Sequence, residues 1–171
     1  MCVVADAAPP PDASNADRIR WEFELLNRHD VSPLKEHLWT AETVGRFPDR
    51  TVRGPEEMGA YLEGQFAALT GWHMDVVAVA GDGDDVFVHW HLTGAHTGPM
   101  FGVAATGKPI AVDGADHFVL QDGKVASVLI ATDGMELARQ FGLLPKDGSP
   151  ADKALKAAFN TKTRLAQKIR R

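Results

Sequence analysis

The order of sequence periodicities predicts an α+β fold, with helices packed on one face of a curved antiparallel sheet. Three observations carry this. Apolar residues recur at helical spacing from Ile19 to Leu69. From Trp72 onward the period changes to two. Two turns, Gly81-Asp82-Gly83-Asp84 and Gln121-Asp122-Gly123-Lys124, divide the alternating stretch into hairpins.

The elements follow in order. Residues 1–15, with Pro9, Pro10 and Pro11, read as a disordered arm ending in a stiff linker. Ser14 and Asn15 are caps for a helix over 16–28, with Ile19, Phe23 and Leu26 on its apolar stripe. Asp30 and Ser32 precede a short helical stretch with Leu34, Leu38 and Trp39, and 41–53 reads as a short strand or turn. Gly54 and Pro55 open a helix carrying Met58, Tyr61, Leu62, Phe66 and Leu69. Strands are expected at 73–80, 85–93, 110–120 and 124–132, with a glycine-rich connection over 94–109. A short helix then runs to Phe141, where Gly142 and Pro145 stop it. Residues 151–169 return to helical spacing. The chain thus divides into an arm (1–15), one domain (16–145) and a basic helical tail (146–171).

The 171 residues carry a net charge of −5, unevenly spread. The tail 151–171 has seven basic residues against Asp152, a net +6, which leaves −11 for the rest. A basic tail can meet nucleic acid or an acidic membrane. The acidic body, its own or a neighbour's, offers the same attraction, so neither nucleic acid nor membrane is an expected partner. Cys2 is the single cysteine and excludes an internal disulfide. With no apolar run of membrane-spanning length, a cytoplasmic location is expected.

Asp133 ends an apolar strand and opens a helix, and with Glu136 it makes a capping-box-like pair. The same carboxylate at the mouth of an apolar pocket is suited to moving protons, because burial raises its pKa. The two roles are compatible. Asp116 and His117 fall on opposite faces of one strand. A two-residue turn at Asp122-Gly123 pairs Asp116 with Leu129 and puts it on the face of Asp133; a one-residue bulge reverses the choice. One of the two is expected to line the cavity. His89 and His91 project to one face, and with Gly83 they resemble the first metal motif of cupins. The glutamate of that motif is missing, Ala95 and His96 standing there, and no second motif follows. No metal is therefore expected. A nucleophile elbow, a phosphate loop and a dinucleotide fingerprint are all absent.

Three stretches, HWHLTGAHTGPMFGVAATGKPI, HFVLQDGKVASVLIATD and MELARQFGLLP, resemble the SnoaL-like polyketide cyclases of the nuclear transport factor 2-like superfamily. The shared pieces are Thr-Gly-x-His-x-Gly, the loop from Gly102 to Lys108, the Asp122-Gly123-Lys124 hairpin, Asp133, and Leu137 to Gly142. The resemblance covers roughly residues 17–145. It implies a cone-shaped α+β barrel with N-terminal helices on the concave face of its sheet, and a deep apolar pocket, often in a dimer. It also implies an aspartate at the Asp133 position acting as acid and base in an intramolecular aldol closure, without metal or organic cofactor. Leu120, Ser127 and Leu129 stand where many relatives have arginine, glutamate and tryptophan. These departures imply a more apolar pocket and a different substrate. An epoxide hydrolase relative needs an Asp-Arg-Asp set, and no arginine lies between Arg53 and Arg139.

The first reading is therefore a pocket enzyme of the polyketide cyclase type acting on a hydrophobic, carbonyl-rich molecule. Asp133 would be the acid/base, assisted by Asp116 or His117. Trp39, Phe47, Met58, Tyr61, Trp90 and Phe101 are the expected walls, with His91 and His96 as further ligand contacts. The expected partners are a small hydrophobic molecule and a second copy of the chain. A second reading is a non-catalytic ligand-binding or dimerisation module. A third is a metal-dependent enzyme using His89, His91 and His96.

Overall fold

The computed structural model describes residues 8–169; residues 1–7 of the expected arm, and Arg170 and Arg171 of the tail, lie outside the described residues. Helix α1 (Asn15–Leu26) starts where expected, capped by the Ser14 Oγ, which accepts from the Asp17 N–H at 3.1 Å. It stops short of residue 28, with Asn27 as its C-cap and His29 in the left-handed region at φ 58°; Asn27 also reaches Met74. Its side-chain amide accepts from the Met74 N–H at 2.7 Å and donates to the Met74 carbonyl at 2.8 Å. Helix α2 is only Ser32–His37, and Trp39 opens strand β1 (Trp39–Arg46) instead of extending the helix. β1 and β2 (Thr51–Arg53) form a hairpin, and α3 (Gly54–Ala68) follows with Pro55 in its first turn.

Four long strands come next: β3 (Leu69–Asp82), β4 (Asp85–His96), β5 (Pro109–Gln121) and β6 (Lys124–Thr132). Helix α4 (Gly134–Phe141) ends at Gly142, whose φ of 89° is the left-handed cap that glycine favours. The sheet order is β2-β1-β6-β5-β4-β3. This is the α+β class expected, a six-stranded curved sheet with helices. Two details differ from expectation. The sheet is not closed into a barrel, because β2 and β3 remain as its edges. It is also not wholly antiparallel, since β1 runs parallel to β6, fastened by the Thr43 hydroxyl donating to the Val125 carbonyl at 2.6 Å.

Alternation sets which residues face inward. Even-numbered residues from Val86 to Leu92 on β4 and from Ile110 to Leu120 on β5 are buried, and their odd-numbered neighbours are outward. On β6 the parity flips. Leu120 pairs with Val125 but Val119 pairs with Ser127, so Ala126 is the extra residue of a β-bulge. Beyond it Val128, Ile130 and Thr132 turn to the inner side. α1 packs on β3 and β4, and α3 on β1 and β3, so the core lies between these helices and the sheet. Helix α5 (Pro150–Ile169) leaves Leu155, Phe159 and Leu165 exposed. Its first turn is fixed by Asp152, which accepts from the Gly148 N–H and from Lys156 Nζ.

Candidate active site

A cavity opens between α1, α3 and the inner sheet face, with about 850 Å³ of empty space counting its mouth. Its walls are overwhelmingly apolar, including Phe23, Met58, Trp72, Leu92, Phe118 and Val128. A second hollow of about 610 Å³ adjoins it and shares Pro48, Phe101, Thr132 and Leu137. Among the described residues no lysine, arginine or histidine lines the main cavity; its ionisable side chains are Glu22, Asp116 and Tyr61.

Glu22 and Asp116 are the unusual pair. Glu22 sits on the buried face of α1 and is 3% exposed; Asp116 sits on the inward face of β5 and is 6% exposed. One oxygen of each, Glu22 Oε2 and Asp116 Oδ1, has no hydrogen-bond partner among the described residues. Burial, reinforced by the Asp116 charge, pushes the Glu22 pKa up to about 8. Burial likewise pushes Asp116 up to about 7. The indoles of Trp39 and Trp90 oppose these shifts, on Glu22 and Asp116 respectively, although neither Nε1 makes a hydrogen bond of regular geometry. Carboxyls that titrate near neutrality can both take and give a proton there. Tyr61 is tied differently: its hydroxyl donates to Asp49 Oδ1 at 2.9 Å, and its ring packs on Phe47 at 3.9 Å between centroids.

The candidate residues read from the sequence are dispersed by the fold. Phe47, Met58, Tyr61, Trp90, Phe101 and Asp116 line the cavity. His117 faces outward, stacked on Phe87 at 4.3 Å and bonded through Nε2 to Asp85 Oδ1 at 2.6 Å. The alternation of β5 decides between Asp116 and His117, and the bulge at Ala126 decides which side of the sheet Asp133 takes. The bulge pairs Asp116 with Ile130 instead of Leu129, and Ile130 is on the cavity side. The same parity turns Asp133 away. Asp133 is exposed and absent from the lining, and its Oδ1 accepts from the Glu136 N–H at 2.9 Å as the N-cap of α4. Trp39 is buried in the core without lining the cavity. His96 is fully buried under α4, stacked on Phe141 and bonded through Nδ1 to Thr106, and burial pushes its pKa down. His91 and His89 are on the outer face beside Asp113, at 3.1 and 3.6 Å. The three histidines of the metal reading therefore do not converge, and among the described residues no group of three ligating side chains is placed to hold a metal. Nor, among the described residues, is any helix long and apolar enough to cross a membrane.

Glu22 was not singled out from the sequence, although a signal was there. It lies at helical spacing within the stripe of Ile19, Phe23 and Leu26, a charged residue on an otherwise apolar face.

The family model for SnoaL-like polyketide cyclases matches residues 16–141, spanning α1 through α4. The chain belongs to the SnoaL-like polyketide cyclase family. A solved structure from Jannaschia sp. CCS1, classed with the SnoaL-like polyketide cyclases, is 25% identical, with a TM-score of 0.70 over 78% of this chain and 99% of that one. AclR of Streptomyces galilaeus, classed as a hydroxylase, is 25% identical, with a TM-score of 0.65 over 77% of this chain and all of its own. IdmH of Streptomyces antibioticus, classed as a polyketide cyclase, shares the fold at 21% identity and a TM-score of 0.65, over 76% of this chain and 99% of that one. No curated protein matches the chain. The SnoaL-like region ends at residue 141, so α5 lies outside the family match.

Proposed function

We propose that the chain is a cofactor-independent acid/base enzyme of the cyclase type, closing a carbon–carbon bond within a hydrophobic, carbonyl-rich molecule held in the main cavity. Asp116 carries the reading: a buried carboxyl with an unpartnered oxygen, on the wall of an apolar cavity, titrating near neutrality. Such a group can remove a proton from the carbon beside a carbonyl and return it to the oxygen of the carbonyl that is attacked. The electron pair of the broken C–H bond passes into the enolate and then forms the new carbon–carbon bond. The apolar walls hold the chain folded and keep water from the carbanion, which supplies the proximity part of the rate. In this reading Asp133 serves as a helix cap, and the acid/base role moves from it to Asp116.

The test is hydrogen–deuterium exchange beside the carbonyl of small hydrophobic ketones such as 1-indanone, followed by NMR in heavy water. The enzyme should accelerate exchange, and Asp116→Asn should lower the rate about 10²–10⁴-fold with the fold intact. An Asp116→Asn protein as fast as the wild type would refute the assignment. Ketone binding without any accelerated exchange would favour a non-catalytic binding module.

A further inference from the structure

We infer that Glu22 is a second catalytic group of the same cavity, holding a proton while Asp116 is ionised and offering its O–H to the carbonyl oxygen of a neutral ligand that enters oxygen first. The inference rests on the reading of Asp116 above and adds the polarity and orientation of the ligand.

The geometry argues for it in three steps. Glu22 occupies a position where a leucine or methionine would complete the apolar stripe of α1, so its carboxyl answers no packing need. The protein does not neutralise it. Among the described residues the titratable side chains sharing the cavity are Asp116 from β5 and Tyr61 from α3, and no cationic side chain lines it from any element. Two carboxylates forced together in such a place cannot both ionise cheaply, so one stays protonated. Each carboxyl keeps one oxygen without a partner among the described residues. These acids, set among apolar walls, suit an oxygen that gains negative charge. They do not suit a carboxylate or phosphate, which would meet the Asp116 charge.

The proton balance closes. Asp116 takes the proton from the carbon while Glu22 gives its proton to the carbonyl oxygen, leaving an enol, a neutral Asp116 and an ionised Glu22. When the enol carbon adds to the second carbonyl, Asp116 returns its proton to that oxygen and Glu22 recovers its own. The pair ends as it began, with one proton moved from carbon to the new alcohol.

Three measurements test this. The first needs no substrate: ¹³C NMR of the side-chain carboxyls of the full chain should show Glu22 neutral at pH 7, and an ionised Glu22 there would overturn the inference. The second is the pH profile of 1-indanone exchange. Wild type should give a bell, rising as Asp116 ionises and falling as Glu22 does. Glu22→Gln keeps a donor that cannot ionise, so it should lose the alkaline fall and remain within about tenfold of wild type at pH 7. Glu22→Met should lose about 10²–10³-fold at every pH, the cost of removing one donor to a developing oxyanion. An unchanged alkaline fall in Glu22→Gln, or a wild-type rate in Glu22→Met, would overturn the role. Tighter binding of 1-aminoindane than of 1-indanone at pH 7 would overturn the neutral-ligand assignment. Failure of Asp116 as the base is separable, because it shows in the Asp116→Asn rate and not in the Glu22 carboxyl signal.

Discussion

Trp90 on β4 lays its indole over Gly114, its direct cross-strand partner on β5, leaving no room for a side chain between them. A Cβ on residue 114 would collide with the six-membered ring of that indole. The glycine is therefore what lets a tryptophan lie against the sheet as a cavity wall. Gly114→Ala should cost about 1–3 kcal/mol, the usual penalty of overpacking, and should displace Trp90. Thermal melts read the first effect, and a changed tryptophan emission reads the second.

Glu22 makes stability depend on pH. The unfolded chain gives up this proton near 4.5 and the folded chain only near 8. Across that window the native state binds the extra proton, so stability falls as pH rises. Glu22→Gln has no proton to lose. Its stability relative to wild type should therefore improve steadily from pH 5 to pH 8, by up to about 1.4 kcal/mol for each pH unit. Urea denaturation at three pH values measures this, and parallel curves for the two proteins would contradict it.

Asp133 should matter to the helix and not to the cavity. Asp133→Ala removes the acceptor for the Glu136 N–H and should cost about 0.5–2 kcal/mol, whereas Asp133→Asn should cost little. Ketone exchange should stay near wild type in both. A large loss of exchange in a well-folded Asp133→Asn protein would return the acid/base role to this residue.

Gln140 clamps α4 to β5. β6 stops opposite Gly114, and the Gln140 amide takes over further along β5, accepting from the Ala111 N–H at 2.9 Å and donating to its carbonyl at 2.7 Å. Gln140→Leu should lose about 1–3 kcal/mol, given roughly 0.5–1.5 for each hydrogen bond. Because Leu137 of α4 lines the cavity, affinity for hydrophobic ketones should weaken too. Calorimetric melts and a binding titration check the two effects.

The strands and most helices were legible because burial imposes a period on the sequence, and Val86 to Leu92 or Ile110 to Leu120 show that period directly. Phe47, Met58, Tyr61, Trp90 and Phe101 were legible as candidate walls because large apolar side chains gather where the sheet is covered. That Asp133 and Asp116 lie on opposite faces was not legible, since it hangs on one inserted residue, Ala126, whose bulge has no mark in composition. Asp133 attracted attention as a motif residue at a strand end, but the parity after the bulge sends it outward. Trp39, His91 and His96 are aromatic or polar for other reasons: a core position, an outer-face partner for Asp113 and a seat beneath Phe141. Glu22 needed the question in reverse, why a carboxylate should interrupt an apolar stripe.

The parallel pairing of β1 with β6 sets an order of events during folding. The hairpins β3–β4 and β5–β6 close over turns of two residues, while Thr43 must find Val125 across 82 positions of chain. Loop-closure entropy delays contacts of that separation. The meander carrying Asp116 should thus assemble early as a platform, with the amino-terminal segment that brings Glu22 docking late. The electrostatic penalty of enclosing the two acids would then fall at the final docking step, so relieving it in Glu22→Gln should slow unfolding more than it hastens the early collapse.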